Sequence, residues 1–235
     1  ECVGGTSAYS PVLSFTTLCT LGALCDDGDP FTEGDIIVSN CVCAGTPPTM
    51  FQEIDKVVAS DRTEYDNFGS SVAISGDYAI VGAMEADDTI SWNGDPGAAY
   101  IFMRSGGTWI QQQKILPSEV LFDSQFGISV AIDGDYAIVG APNEGVDTGN
   151  WVYYAGAAYI FVRNGNTWIE QQRIVANDPG AYAHFGASVA ISGDHAIVGA
   201  PFDDANGVNG RGSAYTFVRN GNTWTQLQKL NGNNT

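Results

Sequence analysis

The strongest constraint on this sequence is that it repeats itself. DNFGSSVAISGDYAIVGAM, DSQFGISVAIDGDYAIVGAP and AHFGASVAISGDHAIVGAP align almost without gaps. After a variable loop each continues as GAAYIFMRSGGTWIQQQ, GAAYIFVRNGNTWIEQQ or GSAYTFVRNGNTWTQLQ. The pairs Phe68-Gly69, Phe126-Gly127 and Phe185-Gly186 recur with a period of 58 and then 59 residues. From each Phe to the Gly of the following Gly-Ala pair (Gly82, Gly140, Gly199) the spacing is 14 residues in all three copies. Repeats of this kind are supersecondary units that bury a core only by stacking on their neighbours.

Each copy reads as four short strands. In the first, Ser71–Ile74 and Tyr78–Val81 flank a Ser-Gly-Asp turn, while Ala98–Met103 and Thr108–Gln113 flank Ser-Gly-Gly. The later copies carry Asn164-Gly165-Asn166 and Asn220-Gly221-Asn222 at the second turn. Asn-Gly between β-rich runs is a strong hairpin signal, because both residue types tolerate positive φ. Four antiparallel strands in one such repeat make a propeller blade. The expected fold is therefore all-β: three four-stranded blades, an incomplete propeller, with Trp109, Trp168 and Trp224 packed between blades. Lys56-Val57-Val58, Lys114-Ile115-Leu116 and Arg173-Ile174-Val175 are expected to introduce the blades, placing them at about 54–113, 114–172 and 173–228. Lys229-Leu230-Asn231 is then read as the start of a fourth blade, a strand stub over 229–235.

The pattern F-G-x-S-V-A-I, A-I-V-G-A-P and G-x-A-Y-x-F resembles the FG-GAP repeat family, best known from the β-propeller of integrin α subunits. The likeness covers roughly residues 54–228 and is to the bacterial branch of the family, which is common on secreted and surface proteins. It implies a β-propeller with an adhesive or scaffolding role. Integrin-type repeats also carry a calcium loop of the D-x-D-x-D-G kind between the first two strands. Here that link has shrunk to Ser75-Gly76-Asp77, Asp133-Gly134-Asp135 and Ser192-Gly193-Asp194. A turn this short cannot wrap a cation that needs 6–8 oxygens, so the family's calcium sites do not carry over.

Residues 1–47 form a different, Cys- and Asp-rich module. Cys2, Cys19, Cys25, Cys41 and Cys43 all lie in its first 43 residues, and the remaining 192 residues of the chain have none. Clustered cysteines without a C-x-x-C pair or a nearby histidine point to disulfides rather than zinc, hence to an extracellular or cell-surface setting. Five is odd, so one thiol is left free or pairs outside the chain. The run CDDGDPFTEGDIIVSNCVCAGTP resembles a short repeat of secreted bacterial proteins. Its Asp26, Asp27, Asp29 and Asp35 cluster around Gly28, an arrangement open both to calcium and to a metal-free Asx turn held by a disulfide. With no initiator Met and no long apolar run, the sequence reads as a mature or excised chain without membrane insertion.

Charge narrows function further. Nine Lys+Arg stand against 27 Asp+Glu, a net charge of −18, which disfavours nucleic acid and anionic lipid. Catalysis is not expected. His184 and His195 occupy repeat positions held elsewhere by Asn67 and Gln125, and by Tyr78 and Tyr136. The recurring Gly-x-Ser-Val-Ala is not a nucleophile elbow and does not enter a helix. Asp87-Asp88 and Asp203-Asp204 sit in glycine-rich loops, where solvation is the default.

The variable loops are better candidates, because loops on a rigid scaffold commonly carry recognition. They hold Trp92, Trp151, Tyr153, Tyr154 and Phe202 beside acids, residues able to stack on sugars, anchor a protein partner or cover an interface. Three blades do not close a propeller, for which 4–8 are typical, and open faces invite pairing with another chain. The expected function is a non-enzymatic structural or adhesive protein that self-associates as a homo-oligomer or filament subunit. The alternative is a glycan- or ligand-binding adhesin domain cut from a longer closed propeller.

Overall fold

The hairpin chemistry of each repeat organises the chain. A computed structural model describes residues 22–25, 33–39, 42–46, 55–87, 96–119, 123–204 and 210–231. The chain divides into two units, Glu1–Ile54 and Asp55–Thr235. In the first unit, β1 (Glu33–Ser39) pairs antiparallel with β2 (Val42–Thr46), and Leu24 bridges to Ile36. Cys25 is disulfide-bonded. Asp26, Asp27, Asp29, Cys2, Cys19 and Cys41 lie outside the described residues, as do the side chains of Asp35 and Cys43.

The second unit consists of three antiparallel four-stranded sheets. Blade 1 is β3 (Phe68–Ser75), β4 (Tyr78–Ala83), β5 (Ala98–Ser105) and β6 (Thr108–Ile115), hydrogen-bonded in that order. Blade 2 is β7 (Ser129–Asp133), β8 (Tyr136–Ala141), β11 (Ala157–Asn164) and β12 (Thr167–Ile174). Its variable loop adds a ribbon of β9 (Val146–Asp147) and β10 (Trp151–Val152). Blade 3 is β13 (Ser188–Ser192), β14 (His195–Ala200), β15 (Ser213–Asn220) and β16 (Thr223–Asn231). No helix occurs among the described residues.

The first turn of each blade places Gly76, Gly134 or Gly193 at φ 58, 56 or 54, with the following Asp at ordinary φ. That is the type II′ sign pattern, which needs glycine at the first central position. The Asn-Gly turns differ from expectation. Asn164 closes β11, and Gly165-Asn166 form the turn with positive φ at Gly165 alone. The turn Asp of the first hairpin is tied to the Arg of the second: Arg104 donates to Asp77 at 2.7 Å, and Arg163 and Arg219 pair likewise with Asp135 and Asp194.

Blade boundaries correct the sequence reading. Lys114-Ile115 and Arg173-Ile174 finish β6 and β12 instead of opening the next blade, because Tyr100 pairs across the sheet with Lys114 and Tyr159 with Arg173. Lys229-Leu230-Asn231 likewise finishes β16, with Tyr215 opposite Lys229, and starts no fourth blade. Lys56-Val57-Val58 lies outside any strand.

Apolar residues alternate along the strands and fill the spaces between sheets. One core joins blades 1 and 2 through Ile80, Ile101, Val130, Val139, Phe161 and Trp168. A second joins blades 2 and 3 through Ile138, Ile160, Val198, Phe217 and Trp224. Trp168 meets Tyr78 edge-on at 5.9 Å and Trp224 meets Tyr136 at 6.1 Å, so both tryptophans occupy the expected place between blades. Trp109, their counterpart, lies on the face of blade 1 that packs against neither other blade and is half-buried.

Candidate functional site: an aromatic rim and the blade-contact faces

The loop that joins β8 to β11 delivers most of the candidate contact residues. Trp151 faces Asp147 across the β9–β10 ribbon, and its indole lies on the backbone of Gly145. A Cβ at position 145 would come within 2.2 Å of that ring, so glycine is what lets it lie down. The chain then runs beside the linker into blade 3. Tyr182 N–H donates to Tyr153 O at 2.9 Å, His184 N–H to Tyr154 O at 3.1 Å and Phe185 N–H to Ala155 O at 2.9 Å. These main-chain bonds tie blade 2 to blade 3 and set a row of side chains on the rim.

In that row Tyr154 stacks on Tyr182 at 5.5 Å and on His184 at 5.9 Å, and Phe202 meets His184 edge-on at 5.4 Å. Tyr153 meets Trp151 edge-on at 6.5 Å. Among the described residues six aromatics are exposed, and five of them (Trp151, Tyr153, Tyr154, Tyr182, Phe202) belong to this rim. Sequence reasoning singled out four of the five. It missed Tyr182, which lies in a linker, and read His184 as structural. Trp92 lies outside the described residues.

Each blade also builds a cation–acid–tyrosine cluster. Lys114 pairs with Asp61 at 2.7 Å, Arg173 with Glu144 and with Glu119 at 3.7 Å, and Lys229 with Asp178 at 2.8 Å and Asp203 at 2.7 Å. Tyr159 donates its hydroxyl to Glu144 at 2.7 Å, and the Lys229 ammonium lies 5.2 Å from the centre of the Tyr215 ring. Glu144 and Asp203 are buried, which corrects the expectation that loop acids such as Asp203 are solvated. The physical reason is the cation on the last strand, which compensates an otherwise costly buried carboxylate.

These surroundings shift the titrations. Burial pushes Glu144 up from the usual carboxylate range, against the pull of Arg173. Burial also opposes the ionised form of Asp61, but the hydrogen bond and charge of Lys114 outweigh it and hold the carboxyl low. Burial raises Tyr215 to about 12. Burial works against the charge of Lys229, yet its bonds to Asp178 and Asp203 lift it above the ordinary lysine range. Both oxygens of Glu144 are engaged by its own neighbours, and the raised tyrosines stay protonated at neutral pH. The clusters therefore act as struts. Among the described residues no three His, Cys, Asp or Glu side chains converge as they would around a metal ion.

Blade junctions reuse one socket. Gly127 and Gly186, at φ 98 and 97, press onto Gly82 and Gly140 of the preceding blade. A Cβ on Gly82 would stand 1.8 Å from the Gly127 carbonyl oxygen, so the contact requires glycine. Ser71 and Ser129 donate hydroxyls to the Gly127 and Gly186 carbonyls, each at 2.7 Å. Blade 3 repeats the socket with Ser188 and Gly199 in a groove of about 640 Å³ that also includes Pro201, Gly212 and Leu230. On blade 1, Val72 and Ile74 are 69% and 65% exposed, whereas their counterparts Val130 and Ile132 are 9% and 7% exposed between blades.

No curated protein matches the chain. The FG-GAP repeat matches over residues 51–102, 109–161 and 168–217, more than half of the sequence; each match takes in the first two strands and most of the third of one sheet, and the second and third matches begin in the last strand of the sheet before. The chain belongs to the FG-GAP repeat family.

Proposed function

We propose that this chain is a non-enzymatic, extracellular adhesive and structural repeat protein that associates with copies of itself, blade face to blade face. FG-GAP repeats typically occur in extracellular or surface proteins, in propeller-type domains often used for adhesion or ligand binding. The observation that carries the reading is the exposed pair Val72 and Ile74 on a face whose equivalent on blade 2 is buried. Beside them Ala79, Phe102 and Trp109 help line an apolar groove of about 360 Å³. Blade 1 offers the surface a preceding blade covers, and blade 3 offers the socket a following blade fills. Contacts of this head-to-tail kind extend into filaments or close into rings.

The contact is modest. Asp55–Ser60 already lies on the outer part of the blade 1 face: Asp55 accepts from Trp109 N–H at 3.0 Å, as Gln113 accepts from Trp168 N–H at 2.8 Å. Full seating of a second copy therefore needs Asp55–Val58 or the end of β16 to move aside, which keeps association weak and concentration-dependent. Light scattering over a range of concentrations tests this. The mass is expected to rise with concentration for the wild-type chain and to stay monomeric after Val72→Ser with Ile74→Ser. A wild-type mass independent of concentration overturns the reading.

A second reading, an adhesin that holds a ligand, is favoured by the gathering of exposed aromatics at the blade 2–blade 3 rim.

A further inference from the structure

The aromatic rim is not a by-product of the repeat. At the position of Tyr182 the preceding blades carry Tyr65 and Asp123, and at that of His184 they carry Asn67 and Gln125, all four at positive φ. The backbone geometry is common to the family of positions, whereas the run of rings belongs to the blade 2–blade 3 junction. Its backbone is also fixed, because Tyr153, Tyr154 and Ala155 are hydrogen-bonded across the junction. A ligand lying on these rings orders little that is not already ordered.

Charge selects the kind of ligand. A net charge of −18 repels phosphate, sulfate and other anionic groups. The acids of the blade clusters pair with the chain's own cations, Glu144 with Arg173 and both Asp178 and Asp203 with Lys229. Lys229 is shared by two carboxylates, so one negative charge is left there, and a basic partner is the competing ligand, which salt dependence separates from a neutral one. What the rim presents is exposed ring surface and two exposed carboxylates, each held by a backbone N–H. Asp147, across the ribbon from Trp151, accepts from Gly149 N–H at 2.8 Å, and Asp204, two residues beyond Phe202, accepts from Gly210 N–H at 2.9 Å. A carboxylate oriented in this way has lone pairs left for hydroxyl donors. Apolar stacking surface together with fixed acceptors complements a pyranose, which has a C–H face and a hydroxyl edge.

We infer that the rim formed by Trp151, Tyr154, Tyr182 and Phe202 binds a neutral glycan, with the rings taking the sugar faces and Asp147 and Asp204 accepting from hydroxyls. The inference rests on the adhesin reading and is independent of association through the blade faces.

The test uses the full chain on an array of neutral and anionic glycans, followed by titration of the best neutral oligosaccharide by tryptophan fluorescence. Neutral structures are expected to bind. Affinity is expected to fall about tenfold or more for Tyr182→Asn and for Phe202→Ala, the size of one lost stacking contact or somewhat more. Tyr65→Asn, the same repeat position in blade 1, is expected to leave it unchanged. Raising salt from about 0.1 M to about 1 M shortens the screening length from about 10 Å to about 3 Å and is expected to have little effect. Absence of any neutral glycan that binds, or binding indifferent to both rim variants, overturns the inference. Capture of basic polypeptides instead, lost in high salt and lost in the rim variants, overturns the glycan while leaving the adhesin reading standing.

Discussion

At the scale of single residues, His184 shows how the rim is coupled to folding. Its ring lies between Tyr154 and Phe202, and partial burial lowers its pKa below the ordinary histidine value of 6.5. The unfolded chain therefore takes up this proton more readily than the folded one. Stability contributed by neutral His184 is full above pH 6.5 and is lost as pH falls through 6.5 toward the lowered folded value. Gln125 fills this position in blade 2 at φ 55, so His184→Gln preserves the backbone. Urea midpoints measured between pH 7.5 and 5.5 are expected to fall less for His184→Gln than for wild type; equal slopes would remove His184 from the account. Residue identity alone pointed to Trp151, Tyr153, Tyr154 and Phe202, because exposed-loop aromatics are conspicuous in a repeat that varies there. Tyr182 was not legible, since what brings it to Tyr154 is backbone pairing between two blades. The burial of Glu144 and Asp203 was hidden for the same reason: each partner cation sits on a strand 26 or more residues away in sequence.

At the scale of elements, a one-residue bulge does what the sequence pattern conceals. Along β6, Phe102 pairs with Gln111 and Ile101 with Gln113, which leaves Gln112 as an extra residue. Residues two apart on a regular strand share a face, but across a bulge they point to opposite faces. Gln111 thus bonds Ser60 on the near side while Gln113 clamps the backbone of Trp168 in the next blade. The shift recurs at Gln171 and Leu227. Glu170 accordingly turns toward Ser118, and Gln172 clamps Trp224 through bonds of 2.7 and 2.8 Å. Gln228 holds the same repeat position as Gln172 but is exposed on the outer face of blade 3. Gln172→Ala leaves two groups of the Trp224 backbone without partners and is expected to lower unfolding free energy by about 1–3 kcal/mol. Gln228→Ala is expected to change it by less than about 0.5 kcal/mol, as surface substitutions do. Chemical denaturation of the two variants makes the comparison, and equal effects would refute the clamp. The four strands per blade were legible from alternation and turn residues. The bulge was not, and neither was the true end of each blade, because a basic residue followed by an apolar one fits the close of a strand as well as the start of one.

At the scale of the three-blade unit, the two outermost blade faces are chemically unequal. Blade 1 keeps the apolar set of an interior blade. Blade 3 has Thr216 where Ile101 and Ile160 stand in the others, and His195 where Tyr78 and Tyr136 receive the next blade's Trp and Arg. A more polar outer face limits how strongly a second copy is held there. Charge works in the same direction. Two chains at −18 repel one another, while the contact proposed between them is apolar at Val72 and Ile74 and glycine-rich at Gly69 and Gly199. Added salt screens that repulsion without weakening apolar burial. The mean mass by light scattering at fixed protein concentration is therefore expected to increase from about 0.01 M to about 0.5 M salt, over which the screening length falls severalfold from about 30 Å. The Val72→Ser with Ile74→Ser chain is expected to remain monomeric across the same range. Dissociation of the wild-type assembly by salt would mean that ion pairs hold the copies together, and the apolar face of blade 1 would then not be the contact.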